Sequence, residues 1–247
     1  MGKSIGISQF YGRRYKVIPL TQEWIEVLGP LERGFRMIIW GESGHGKTTF
    51  ALRLCKMLAG LGKVYFNSIE QGDSASLQKQ IMQVGMNEVN GRVIFGDRDT
   101  FEEMIVKLKN NKCQFLIIDS LQYAELTQGQ YKKLNELFPK RGIILISWQG
   151  NGNQPKGEHA KAIRYMVDVK VHVKKGVAKA DSRYGQTIPY TIFSPAVKPG
   201  DNLSLFGAGA PTAELPELPD PPADPDADDD PDDIEEEVLE SLTNNQL

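Results

Sequence analysis

The 247-residue chain has few cysteines and histidines and no long apolar run, and each shortage removes a class of function. Its two cysteines, Cys55 and Cys113, fall in apolar segments without metal-ligand spacing, so they read as reduced core residues, neither a disulfide framework nor a zinc site. The three histidines form no cluster with cysteine, and no Ser/His/Asp arrangement for nucleophilic catalysis is visible. No run of about 20 apolar residues is present, and the first twenty residues lack the apolar core of a signal peptide, so a cytoplasmic protein with no membrane partner is expected. One stretch has no positive charge at all: residues 214–247 carry 14 Asp and Glu and not one Lys or Arg. Ahead of it stand 29 basic and 18 acidic residues, so a formal charge of −3 conceals a body of net +11. A basic body with an acidic tail is the pattern of a polyanion binder moderated by its own terminus. The tail is rich in proline and poor in apolar residues, and disorder is expected of it. Ile234, Val238, Leu239 and Leu242 are spaced for a short amphipathic helix there, either a docking peptide for a protein partner or part of a solubilising tail.

What is present begins with RMIIWGESGHGKTT, residues 36–49, in which an apolar run breaks into a glycine-rich loop. Gly41, Gly46, Lys47 and Thr48 fit G-x-x-x-x-G-K-[ST], the phosphate-binding P-loop. Backbone N–H groups of Gly41, Glu42, Ser43, Gly44, His45, Gly46, Lys47, Thr48 and Thr49 are expected to form a concave anion site with the start of the next helix. Lys47 then reaches the β- and γ-phosphates of ATP, and the Thr48 hydroxyl binds Mg²⁺, which takes oxygen ligands and keeps most of its waters.

Along the chain, residues 1–19 read as an arm with one strand at 15–18, packing either on a neighbouring subunit or over its own sheet. A helix follows at 21–28, stopped by Gly29 and Pro30. Strands are expected at 37–40, 63–69, 92–95, 115–118, 142–148 and 167–173, with a hairpin through 187–193. Helices are expected at 47–59, 74–84, 100–109 and around 131–138, the third opened by the capping box Thr100 to Glu103. Near-continuous apolar strands alternating with helices predict an α/β fold with a mostly parallel central sheet, helices on both faces and a C-terminal hairpin. The domain organisation that follows is an N-terminal arm at 1–22, an ATPase domain at 23–200, and a linker with the acidic tail at 201–247. Ligands of such sheets bind at the carboxyl ends of the strands, which gathers the P-loop, Glu70, Asp119 and the residues after Ser147 on one edge. Asp119, ending the run FLII, has the form of a Walker B aspartate holding Mg²⁺. Glu70, past the strand that follows the P-loop helix, is placed to polarise the water attacking a γ-phosphate.

The run WIEVLGPLERGFRMIIWGESGHGKTTFALRL, then YFNSIEQ, FLIIDSLQ, LISWQGN, RYMVDVKVHV and SRYG, resembles the ATPase core of the RecA/RadA superfamily over residues 24–193. The resemblance implies a RecA-like P-loop NTPase fold, Glu70 as catalytic base and Asp119 as the Walker B acid. In that family the strand after Walker B usually ends in a polar residue, often Gln, that senses the γ-phosphate; here Trp148 holds the slot and Gln149, one residue later, is assigned as sensor. A basic pair that reaches the neighbouring subunit's γ-phosphate corresponds to Asp181-Ser182-Arg183-Tyr184-Gly185, in which the lysine position is Asp181 and Arg183 is the finger acting in trans.

The loop after Gln149, GNGNQPKGEHAK, occupies the position that enters single-stranded DNA in RecA-like proteins, and Lys156, Lys161 and Arg164 are its expected phosphate contacts. An earlier stretch, residues 123–133, offers Lys132 and Lys133, with Tyr123 and Tyr131 either stacking bases or packing a helix. The resemblance runs to the short, core-only RecA-like proteins of bacteriophages and mobile elements, in a bacterial or phage-infected cytoplasm. It implies a self-assembling filament or ring on single-stranded DNA, acting in recombination, annealing or repair. Two alternatives stay open: a ring helicase or helicase-loading ATPase, and a nucleotide-gated oligomeric scaffold for a protein partner.

Overall fold

The apolar run ahead of the P-loop forms the strand β1, Arg36–Gly41, every residue of it buried. The computed structural model describes residues 4–193; the linker, the acidic tail and its apolar quartet at 234–242 lie outside the described residues. In order follow α3 (Lys47–Ala59), β2 (Val64–Ser68), α4 (Ala75–Val84), β3 (Val93–Asp97), α5 (Phe101–Asn110) and β4 (Phe115–Asp119). Then come α6 (Gln128–Leu137), β5 (Gly142–Trp148), α7 (Glu158–Met166), β6 (Val169–Lys174), β7 (Val177–Ser182) and the two-residue β8 (Tyr190–Thr191). Two short helices, α1 (Ile7–Tyr11) and α2 (Gln22–Leu28), precede β1.

The strands form one sheet in the order β3-β2-β4-β5-β1-β6-β7-β8. The first six are parallel, and β7 and β8 return antiparallel. Alternate residues of each central strand serve opposite faces, which is why runs such as Met37 to Trp40 are apolar throughout. Met37, Ile39, Ile144 and Ile146 join a core roofed by α2, α3 and, in part, α4. Ile38, Trp40, Ile143 and Leu145 join a second core under α5, α6 and α7. Each aliphatic side chain so buried contributes about 1.5–3 kcal/mol, and the two cores leave the sheet covered on both sides. Cys55 belongs to the first core and Cys113 to the second, both as free thiols raised by burial well above their usual pKa.

Local signals explain the helix boundaries. Thr100 accepts from the Glu103 amide while the Glu103 carboxylate accepts from the Thr100 amide, the reciprocal cap expected of that pair. Thr127 and Gln130 repeat the motif and start α6 at Gln128, three residues earlier than the tyrosine-centred pattern suggests. At the foot of β1 the buried Arg36 guanidinium donates to the carbonyls of Gly34, Phe35, Phe138 and Arg141 and to Asn135 Oδ1, at 2.5–3.2 Å. It satisfies carbonyls at the C-terminal end of α6, and burial lowers its pKa.

Four expectations are corrected. The arm has no strand at 15–18: Val17 makes a single bridge to Glu32, and the segment ahead of it turns once as α1. The hairpin turns earlier than residue 187, at Lys175 and Gly176, both at positive φ as a two-residue turn requires. Its second strand, β7, reads VAKADS, too polar and too exposed to announce itself. Residues 158–166 are helix, because Ala160, Ile163 and Val167 repeat at helical spacing and enter the second core. The stretch 123–133 is not one loop either, since its second half is α6 and Tyr131 is fully buried.

Candidate nucleotide site at the carboxyl edge of the sheet

Parallel strands bring their carboxyl ends to one edge, and the register sets what meets there: Gly41 lies opposite Trp148 and Asp119 opposite Ser68. From β1 the chain enters the loop 41–46 and then α3, whose N-cap Gly46 has φ 102°, a conformation that penalises any Cβ. A Cβ on Gly46 would also stand 2.8 Å from the Phe193 ring, and one on Gly41 would stand 2.1 Å from the Val173 carbonyl oxygen. The glycines thus let the loop sit directly on β6 and the end of the hairpin. Gly176, in the turn, donates its N–H to the His45 carbonyl at 3.2 Å and accepts from the amides of Ile192 and Phe193, so the loop is buttressed by main chain.

Within this frame Lys47, Thr48, Glu70 and Asp119 converge. The Thr48 hydroxyl donates to Asp119 Oδ2 at 2.9 Å. Lys47 Nζ folds back to donate to the Glu42 carbonyl at 2.9 Å. Asp119 is almost wholly buried, and burial pushes its carboxyl up to about 6; the Thr48 hydrogen bond and Lys47 oppose this, and Glu70 adds to it. Burial lowers the Lys47 pKa, against the pull of the Glu70 and Asp119 carboxylates. The segment that carries Glu70 is tied down by the amides of Ile69 and Glu70, which both donate to the Asp119 carbonyl at 2.8 Å. The peptide from Asp119 to Ser120 is cis, and the Ser120 hydroxyl is buried without a hydrogen-bond partner. A threonine hydroxyl and a carboxylate 2.9 Å apart form a hard-oxygen pair of the kind Mg²⁺ accepts alongside waters and phosphate oxygens.

The residues past β5 behave differently from expectation. Gln149 turns sideways: its amide oxygen accepts from His172 Nε2 at 2.8 Å, and its amide nitrogen reaches Asn153 and Glu42 at 3.3 and 3.4 Å. His172 is held toward its neutral form by burial and by nearby Lys174 and His45. Trp148 points instead to Glu70, its indole Nε1 donating to Glu70 Oε2 at 2.9 Å. Sequence reasoning gave Gln122 no role, yet its amide accepts from Trp148 N at 2.9 Å and donates to Ser147 Oγ and the Lys156 carbonyl at 2.9 and 2.8 Å. Its signal was only a glutamine three residues after Asp119.

The loop between β5 and α7 is a small hairpin of residues 149–157, closed by a bridge from Gln149 to Pro155 and by Gly150 N to the Gln154 carbonyl at 2.7 Å. A cavity of about 440 Å³ opens between this loop and Glu42 of the P-loop, with Lys156 and Lys161 on its wall. Lys156 also stands over the Trp148 ring, and Lys161 pairs with Glu158 one turn back on α7. Arg164 is a helix residue as well, its guanidinium 5.1 Å from the Trp40 ring centre. Lys132 and Lys133 lie on α6, exposed and half-buried respectively, on a helix and not on a flexible loop. Arg183 lies at the opposite edge of the sheet, because β7 runs antiparallel and Ser182 pairs with Val169, the first residue of β6. It pairs with Asp168 at 3.3 Å and does not meet its own P-loop.

No protein-family model matches the chain, and neither does any curated protein. Solved structures do. The flagellar accessory protein FlaH from Methanocaldococcus jannaschii aligns at 17% identity and TM-score 0.50, over 70% of this chain and 89% of that one. A KaiC-like protein from Pyrococcus horikoshii aligns at 14% identity and TM-score 0.52, over 72% and 94%. The ATPase domain of a helicase aligns at 14% identity and TM-score 0.54, over 74% and 90%. At such identities the likeness speaks for the fold, and the fold is that of the RecA-like P-loop NTPases.

Proposed function

We propose that this chain binds ATP with Mg²⁺ at the P-loop and hydrolyses it, as a self-assembling ATPase that works on single-stranded DNA in recombination, annealing or repair. The observation that carries the reading is the convergence of Lys47, Thr48, Glu70 and Asp119 on one sheet edge beside a glycine-built loop. Loop amides and Lys47 bind the phosphates, and Thr48 and Asp119 hold the metal. Bound Mg²⁺ supplies charge neutralisation on the phosphate oxygens. Glu70 takes a proton from the water whose oxygen attacks the γ-phosphorus, while the bond to the bridging oxygen breaks and its electrons leave with ADP.

Assembly is supported by where Arg183 sits. An exposed arginine on the edge away from its own P-loop is useful to hydrolysis only if a neighbouring subunit brings a site to it. For DNA, the support is the net charge of +11 outside the acidic tail and the placement of Lys156 and Lys161 around an open cavity beside the P-loop. The test is steady-state ATP hydrolysis with and without a long single-stranded oligonucleotide, with Lys47→Ala and Glu70→Gln as controls. Stimulation by DNA that both substitutions abolish is expected, along with DNA binding that weakens steeply between low and moderate salt. ATP binding with turnover indifferent to DNA would instead point to the scaffold, and directional strand displacement to a helicase.

A further inference from the structure

Glu70 is exposed, just past β2, and an exposed glutamate samples several rotamers. The group that restrains it is the indole of Trp148, through the 2.9 Å hydrogen bond from Nε1 to Oε2. An indole N–H is a donor only, so the contact fixes one carboxylate oxygen and leaves the other able to accept a proton from water.

The indole is itself held from several directions. Gln122 accepts from the Trp148 amide at 2.9 Å. The Tyr123 ring packs edge-on at 5.3 Å between centres. The Lys156 ammonium stands 5.1 Å from the ring centre. The Lys156 amide donates to the Trp148 carbonyl at 2.8 Å, and Gln122 bridges to the Lys156 carbonyl, so both ends of the 149–157 loop are fastened at the tryptophan. A half-buried aromatic ring braced in this way is a stiff support for a carboxylate at the rim of the site. The remaining charged groups acting on that carboxylate's surroundings are Lys47 and Asp119, on α3 and β4.

We propose that Trp148 is the positioning residue for Glu70, aiming its carboxylate through the indole N–H in place of any contact of its own with the phosphates. This rests on Glu70 being the hydrolytic base. Trp148→Phe keeps an aromatic ring for Tyr123 and Lys156 and removes only the donor. Its kcat is expected to fall about tenfold to a hundredfold with KM for ATP and the thermal midpoint unchanged, because a hydrogen bond to a charged group is lost without loss of nucleotide contacts. An independent readout is the indole N–H spectrum of the full chain labelled with ¹⁵N, which holds three tryptophans, Trp24, Trp40 and Trp148. Trp148→Phe assigns the resonance by deleting it, and Glu70→Gln is expected to displace that resonance while leaving the other two in place. A Trp148→Phe protein as fast as wild type, beside an inactive Glu70→Gln, would overturn the proposal and spare the ATPase reading. A Trp148 resonance indifferent to Glu70→Gln would overturn it also. Full activity in Glu70→Gln would instead remove the base on which the proposal rests.

Discussion

Replacing Asp119 by asparagine is expected to make the nucleotide-free protein more stable at neutral pH, although the same change removes its use for Mg²⁺. Burial raises this carboxyl from an ordinary 3.8 to about 6, so above pH 6 the folded protein carries a charge that the unfolded chain solvates better. The interval, at about 1.4 kcal/mol per tenfold change in proton affinity, corresponds to about 3 kcal/mol. The sign follows from the direction of the shift: a raised carboxyl contributes stability below its unfolded value, and loses it as pH rises through the folded one. The asparagine variant does not titrate, and its amide oxygen can still accept from the Thr48 hydroxyl, which donates to Asp119 at 2.9 Å. Its advantage should therefore be about 3 kcal/mol at pH 8, about half that at pH 5, and close to nothing below pH 4. Urea unfolding of both proteins at these pH values, without nucleotide or metal, measures it directly. Adding Mg²⁺ and ATP at about a hundred times the dissociation constant should return about 2.7 kcal/mol to the wild type and little to the variant. An asparagine variant less stable than wild type at pH 8, or an advantage that does not shrink on acidification, would refute the reasoning.

Arg183→Ala should lower kcat by a factor of about 10³ or more while leaving ATP binding intact; mixing it with Glu70→Gln should restore part of the activity that each lacks alone, as a site shared between subunits requires, and no recovery in a mixed assembly would count against the finger. Gly41→Ala should cost at least about 2 kcal/mol by urea unfolding, because the new methyl meets the Val173 carbonyl at 2.1 Å. Arg36→Met should cost about 3 kcal/mol or more in the same assay, since its buried guanidinium serves four carbonyls and the Asn135 side chain.

Much of the fold was legible because its rules are local. The apolar runs at β1, β4 and β5 mark strands buried on both faces, and the Thr100 and Glu103 pair marks the start of α5. The P-loop announces itself through spacing alone. What stayed hidden depends on contacts remote in sequence. β7 is polar because one side of it faces water, and only its ladder with β6 makes it a strand. α7 was masked by the glycine and asparagine ahead of it, although Ala160 and Ile163 already carried the helical period. At the site, Lys47, Thr48, Glu70 and Asp119 could be gathered by the rule that ligands sit at carboxyl ends of parallel strands. The direction in which Trp148 and Gln149 point could not, since it is decided by Gln122, His172 and Glu42, tens of residues away.

The buttress under the P-loop ties two distant parts of the chain to one event. Phe193 rests against Gly46, and its amide is held by the Gly176 carbonyl, whose own N–H supports His45. Everything that follows Phe193, including 14 acidic residues, is therefore leashed at the mouth of the phosphate site, while Arg183 stands at the far edge of the same sheet. Any rearrangement of the loop upon filling is transmitted to that leash through main-chain hydrogen bonds, with no side chain needed as intermediary. A chain shortened to end before Phe193 would lose a wall of the nucleotide site along with the tail, so the tail's own contribution is measured only by shortening that begins beyond it.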